Sequence, residues 1–115
     1  MIWTLLLFPV LVFAQVKPDT FVIVVNDRSM SVLCPEKKKD IFSVIVENRS
    51  LSDQVAKFTV GKKLLKYVSV KSGAVETVEI ENKSAASVTF VPVSPAFQDV
   101  ELMFGKKAYE VPPKE

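Results

Sequence analysis

The sequence predicts an all-β domain, a small antiparallel β-sandwich, with a small β-barrel as the alternative architecture. Three observations predict it. Short runs rich in Val, Ile, Phe and Thr alternate apolar and polar residues with period two. Turn residues punctuate these runs at intervals of roughly 8 to 12 residues. No stretch keeps apolar residues three and four apart, as an amphipathic helix requires.

The first element precedes the domain. MIWTLLLFPVLVFAQ, residues 1–15, has no charged side chain before Lys17 and is interrupted by Thr4, Pro9 and Gln15. A membrane-spanning helix needs about 20 apolar residues. A secretory signal needs an apolar stretch of only roughly 7 to 15, followed by small residues at the cut. Val12 and Ala14 fill the third and first positions before such a cut. Residues 1–14 are therefore expected to be a secretory signal peptide, and 15–115 a single β domain in the periplasm or outside the cell. The runner-up is a signal anchor that holds the domain beside the membrane.

TFVIVV at 20–25 is the first strand, ended by NDRS at 26–29. MSVLC at 30–34 follows and is stopped by Pro35 and the charged EKKKD. In IFSVIVEN, at 41–48, Phe42, Val44 and Val46 form one face. A short helical turn is the expectation for SLSDQ, at 50–54. QVAKFTV sets Ala56, Phe58 and Val60 against Val55, Lys57 and Thr59. LLKYVSV runs to the turn at Ser72 and Gly73. VETVEIEN turns Val78 and Ile80 inward while Thr77, Glu79 and Glu81 point out. ASVTFVPV brings in Val88 and Phe90, and its Pro92 marks an edge or a strand end, because proline cannot donate to a ladder. VELMF puts Val100, Leu102 and Phe104 on one face, and AYEV leads into Pro112 and Pro113.

VIVENRS at 44–50 is echoed by VEIENKS at 78–84, each followed by a β-rich run containing Phe58 or Phe90. The repeat reads as two matching hairpins around Asn-x-Ser turns, where Asn and Ser side chains bond their own backbone. NRS and NKS also fit the N-glycosylation acceptor, which means something only in a cell that glycosylates such sites. VSVKSGAVETVEIENKS resembles a strand-turn-strand pattern of extracellular and periplasmic immunoglobulin-like or cupredoxin-like sandwiches. That resemblance implies fold alone. An antibody-type Cys…Trp…Cys core is missing, since Trp3 is the only tryptophan, and without histidine the chain lacks a blue-copper ligand set.

Composition narrows function by exclusion. Fifteen Lys and Arg against 13 Asp and Glu give a formal charge of +2, and Arg28 and Arg49 are the only arginines. Nucleic acid is not an expected partner on that balance. The absence of histidine removes Ser-His-Asp and Cys-His catalysis and the usual zinc sets. Three glycines provide no phosphate loop. Glu76, Glu79 and Glu81 are the densest carboxylates but alternate with apolar residues as an exposed strand face does. A carboxylate enzyme would have to use Glu76 with Asp99 or Glu101. Neither catalysis nor a cofactor is expected. Cys34 has no second cysteine to bridge and shares a strand face with Met30 and Val32. It reads as a buried small hydrophobe, with an intermolecular disulfide or a reactive thiol as alternatives.

The remaining signal is charge. Lys57, Lys62, Lys63, Lys66 and Lys71 occur without an intervening acid, and EKKKD adds Lys37, Lys38 and Lys39. They either protect exposed strand edges or form a surface for an anionic partner: lipid headgroups, a cell-wall polymer or an acidic protein. The expected function is a noncatalytic binding or assembly module that meets a protein partner in the cell envelope or extracellular space. The alternative is a carrier or binder of an anionic lipid or polysaccharide, with exposed Phe97 or Tyr109 as aromatic contacts.

Overall fold

The computed structural model describes residues 20–94, 97–105 and 108–111. The expected signal, residues 1–14, lies outside them. Among the described residues nine strands form: β1 (Thr20–Val25), β2 (Met30–Leu33), β3 (Ile41–Asn48), β4 (Gln54–Val60), β5 (Lys63–Val70), β6 (Val75–Glu81), β7 (Val88–Ser94), β8 (Val100–Leu102) and β9 (Ala108–Val111). They make two sheets, one of five strands in the order β6-β3-β1-β2-β9 and one of four in the order β5-β4-β7-β8. No helical turn forms at 50–54, where the chain only bends.

Alternation explains which side of each strand is buried. Phe21, Ile23 and Val25 of β1, Phe42, Val44 and Val46 of β3, and Val78 and Ile80 of β6 face inward from the five-stranded sheet. Ala56, Phe58, Val68, Val70, Val88 and Phe90 meet them from the other, and all belong to one core. Phe21 and Phe42 lie 5.2 Å apart between ring centroids, and Phe58 and Phe90 also 5.2 Å. Offset or edge contacts at such distances add to the hydrophobic burial of these rings.

Pairing is not wholly antiparallel, which corrects one expectation. β1 pairs antiparallel with β2 but parallel with β3, matching Phe21 to Val44 and Ile23 to Val46. The cause is connectivity. After β2 returns along one side of β1, the loop at 34–40 starts β3 from the end where β1 itself starts. A strand laid on β1's other side from there runs in the same direction.

The repeated segments are not hairpins either. β3 and β6 lie in the five-stranded sheet, whereas β4 and β7 lie in the other, so each Asn-x-Ser turn carries the chain from sheet to sheet. The two units pair with each other: β3 with β6 around Val44↔Val78, and β4 with β7 around Phe58↔Phe90. Both pairings are antiparallel, so a local pseudo-twofold axis relates the units. The turns match atom for atom. Asn48 Oδ1 accepts from the backbone N–H of Ser50 at 3.0 Å and lies 2.6 Å from its hydroxyl. Asn82 Oδ1 does the same with Ser84 at 3.2 and 2.8 Å. Asn48 Nδ2 donates to the Ser52 carbonyl and Asn82 Nδ2 to that of Ala86. Glu47 pairs with Arg49, and Glu81 with Lys83.

Asn48 has a further task. Fully buried, it also donates from Nδ2 to the Val70 carbonyl of β5 at 2.9 Å, a bond from one sheet to the other. Its backbone N–H donates to Ala74, and its carbonyl accepts from Gly73, whose φ of 81° suits glycine. Asn48 is therefore inaccessible as a glycan acceptor in the folded chain.

Two smaller expectations are also revised. Pro92 lies within β7, an interior strand, and is buried. β8 pairs only with Val88, Thr89 and Phe90, and the β4–β7 register shifts between Val55 and Ala56, so the missing N–H is accommodated. The eighth strand ends at Leu102, and Phe104 sits in the following turn, half-buried, 5.0 Å from Phe21 and 5.3 Å from Phe42. The Gly105 N–H holds that turn by donating to the Pro35 carbonyl.

Candidate interaction surface

Each sheet has two edges, and one margin of the molecule brings an edge of each together. Among the described strands, β5 is laddered only to β4, and β6 only to β3. The short turn at 71–74 joins them, so they lie side by side and run in opposite directions. An edge strand presents a row of backbone groups open to another strand. These two are eight and seven residues long.

The structure disperses the five lysines. Lys57 is on the outer face of β4, registered with Tyr67 of β5 and Val91 of β7. Lys62 and Lys63 are exposed at the tight β4–β5 connection, where Gly61 adopts a φ of 59°. Lys66 has the same parity along β5 as the buried Val68 and Val70, yet is exposed. A register shift between Phe58 and Thr59 bends β5 there and frees it from the core. Lys71 follows the far end of β5, roughly 26 Å from Lys63 at the usual strand rise. Lys62, Lys63 and Lys66 thus share one end of the margin, and Lys57 and Lys71 stand apart.

Opposite β5, β6 exposes Glu76, Glu79 and Glu81. A cleft of about 290 Å³ opens between the strands, lined by Ile41, Leu65, Lys66, Glu79, Ile80 and Glu81. Glu81 is 3.4 Å from Lys83 Nζ. Among the described residues, the only ion pairs within 4.0 Å are this one and Glu47–Arg49, so Lys63, Lys66, Glu76 and Glu79 have no such neighbour. The acidic and basic strands adjoin without neutralising each other. Lys37, Lys38 and Lys39, all exposed in the β2–β3 loop, lie toward the same end, where the Asp40 carbonyl accepts from Asn82.

The aromatic expectations fare differently. Phe97 is 2% exposed and belongs to the core, so it offers no ring to a ligand. It lies between β7 and β8, outside any alternating run, and an apolar side chain there closes the core between the strands. Tyr109 is in β9 opposite Val32, and its side chain lies outside the described part. Exposed aromatic surface occurs instead at Tyr67, 64% exposed on β5.

The carboxylates weighed for catalysis are not brought together. Glu76 is on the β6 edge, whereas Asp99 and Glu101 are at β8, the edge strand of the other sheet farthest from β5. Among the described residues, no three His, Cys, Asp or Glu side chains are grouped so as to hold a metal ion. Cys34 is buried beside the chain of core residues that includes Met30 and Val32.

A second exposed surface is apolar. On the outer face of the five-stranded sheet, Ala108, Leu33, Val22, Ile45 and Thr77 are successive cross-strand partners. A groove of about 420 Å³ lies over Val22, Val24, Leu33 and Ala108. The apolar second face is visible in TFVIVV at 20–25 and at Ile45 in FSVIV at 42–46, a pattern that reads equally as burial on both sides. Compared with known proteins, the chain matches no family model, no curated protein and no solved structure.

Proposed function

We infer that this chain is a noncatalytic binding or assembly module that acts through protein contacts on the extracytoplasmic side. The observation that carries the reading is the β5–β6 margin: two adjacent edge strands, each laddered on one side only, on which Lys63, Lys66, Glu76 and Glu79 have no ion-pair partner. Open edges accept strands from partners, and charge complementarity selects which partner docks. Two sheets sharing one core support the sandwich over the barrel. The apolar segment at 1–15 supports export.

Crosslinked affinity purification from the native cell envelope tests this reading, repeated with Lys57, Lys62, Lys63, Lys66 and Lys71 changed to Glu. Specific stoichiometric protein that is lost on charge reversal supports it. Recovery of lipid or glycan without stoichiometric protein overturns it in favour of a carrier of an anionic lipid or polysaccharide. Mass spectrometry of the recovered chain tests export: loss of residues 1–14 is expected, and intact Met1 in soluble cytoplasm contradicts it.

A further inference from the structure

We propose that the partner docked at the β5–β6 margin is a second copy of this chain, with β5 of each copy laid antiparallel to β6 of the other. The proposal rests on the protein-contact reading above and names its partner. Between Lys63 and Val70, β5 carries Lys63 and Lys66 and no acid, while β6 carries Glu76, Glu79 and Glu81 and no base. One margin therefore holds a basic strand and an acidic strand side by side.

Closed dimers are commonly twofold, and the same patch then meets itself. Two twofold axes bring this margin against its copy. An axis perpendicular to the sheets sets β5 on β5 and β6 on β6, lysine on lysine and glutamate on glutamate. An axis along the strands sets β5 on the partner's β6 and β6 on the partner's β5. Because β5 and β6 run in opposite directions, both junctions are then antiparallel, the commoner pairing. Lysines meet glutamates at both. Like charges placed opposite each other across strands are destabilising and opposite charges favourable, so the pattern selects the second arrangement. It would extend both sheets across the interface and cover two edges at once. Exposed Leu64, Tyr67 and Val75 supply apolar surface at the same margin.

The test is a charge swap read by sedimentation velocity on the full chain, expressed in and purified from its own host. The wild type is expected to dimerise, and more weakly at about 500 mM than at about 50 mM salt, because screening shortens the reach of the charges. K62E/K63E/K66E makes both strands acidic, and E76K/E79K/E81K makes both basic. Each alone is expected to dimerise at least about tenfold more weakly than wild type. An equimolar mixture restores complementarity at both junctions and is expected to give a mixed dimer. A wild type that stays monomeric to about 0.5 mM at low salt overturns the proposal. So do single variants that associate like wild type, or a mixture that stays monomeric. If circular dichroism shows either reversal variant unfolded, Lys63→Gln with Lys66→Gln and Glu79→Gln with Glu81→Gln replace them, each expected to weaken the dimer. A monomeric chain that still captures a stoichiometric envelope protein refutes the second copy alone. Capture of lipid or glycan instead refutes the protein-contact reading.

Discussion

Replacing Asn48 with alanine isolates the bond that joins the two sheets, because the repeat supplies a control. Asn82 makes the same local contacts in the same E-N-x-S context, but it is half-exposed and contacts no second sheet. Asn48→Ala removes donors from the Ser52 and Val70 carbonyls and an acceptor from the N–H and hydroxyl of Ser50. The Ser50 hydroxyl lies 2.9 Å from the Ser52 carbonyl and can serve it. That leaves the Val70 carbonyl and the Ser50 N–H without partners in a buried setting. At about 1–3 kcal/mol for each unsatisfied buried group, the loss is about 3 kcal/mol. Asn82→Ala exposes equivalent groups to water, and its cost is about 0.5 kcal/mol. Urea unfolding of the two variants and wild type, monitored by circular dichroism, measures both. For a domain of this size the Asn48 variant should melt about 15 °C below wild type. Equal losses for the two variants would refute the reasoning, since the local turn alone would then account for the effect.

Phe58→Ala and Phe90→Ala should each cost about 3–5 kcal/mol, as both rings are fully buried at the pairing centre of β4 and β7, and the double-mutant cycle should show coupling of about 1 kcal/mol. Denaturant melts of the two single variants and the double variant measure it, and additive losses would contradict the direct contact. Gly73→Ala should cost about 1–2 kcal/mol from its left-handed backbone alone, since no atom lies within 4 Å of an added Cβ. A neutral result in the same melts would contradict that assignment. Cys34 should react with a thiol reagent only as fast as the domain opens, because it is 6% exposed. Rapid labelling of the native chain would contradict its burial and revive an intermolecular disulfide.

The bounds of β1, β3, β4 and β9 match runs legible in the sequence, and in β3 and β4 burial follows the alternation of apolar residues. Sheet membership could not. The Asn48 and Asn82 turns satisfy the same local hydrogen bonds whether the next strand returns beside the first or crosses to another layer. The crossing is decided by Phe58 and Phe90 finding each other in the second sheet. The parallel β1–β3 pair was hidden for the same reason, being a matter of the order in which strands are laid down. At the candidate surface, the charges of β5 and β6 were plain in the sequence, but the adjacency of the two edges depends on the 71–74 turn passing between sheets. Lys66 shows the limit of parity most clearly. Its parity along β5 matches that of the buried Val68 and Val70, and the register shift in the β4–β5 pairing turns it out instead. Phe97, in no periodic run, offered no basis for placing its ring inside.

Amide hydrogen exchange at low and high protein concentration tests most directly whether two copies of the chain meet at the β5–β6 margin. Outward-facing amides of Lys63–Val70 and Val75–Glu81 should gain protection together as concentration rises, while those of β8 and β9 stay unchanged. Protection gained on the outer face around Val22 and Leu33, or at no edge at all, would contradict the account.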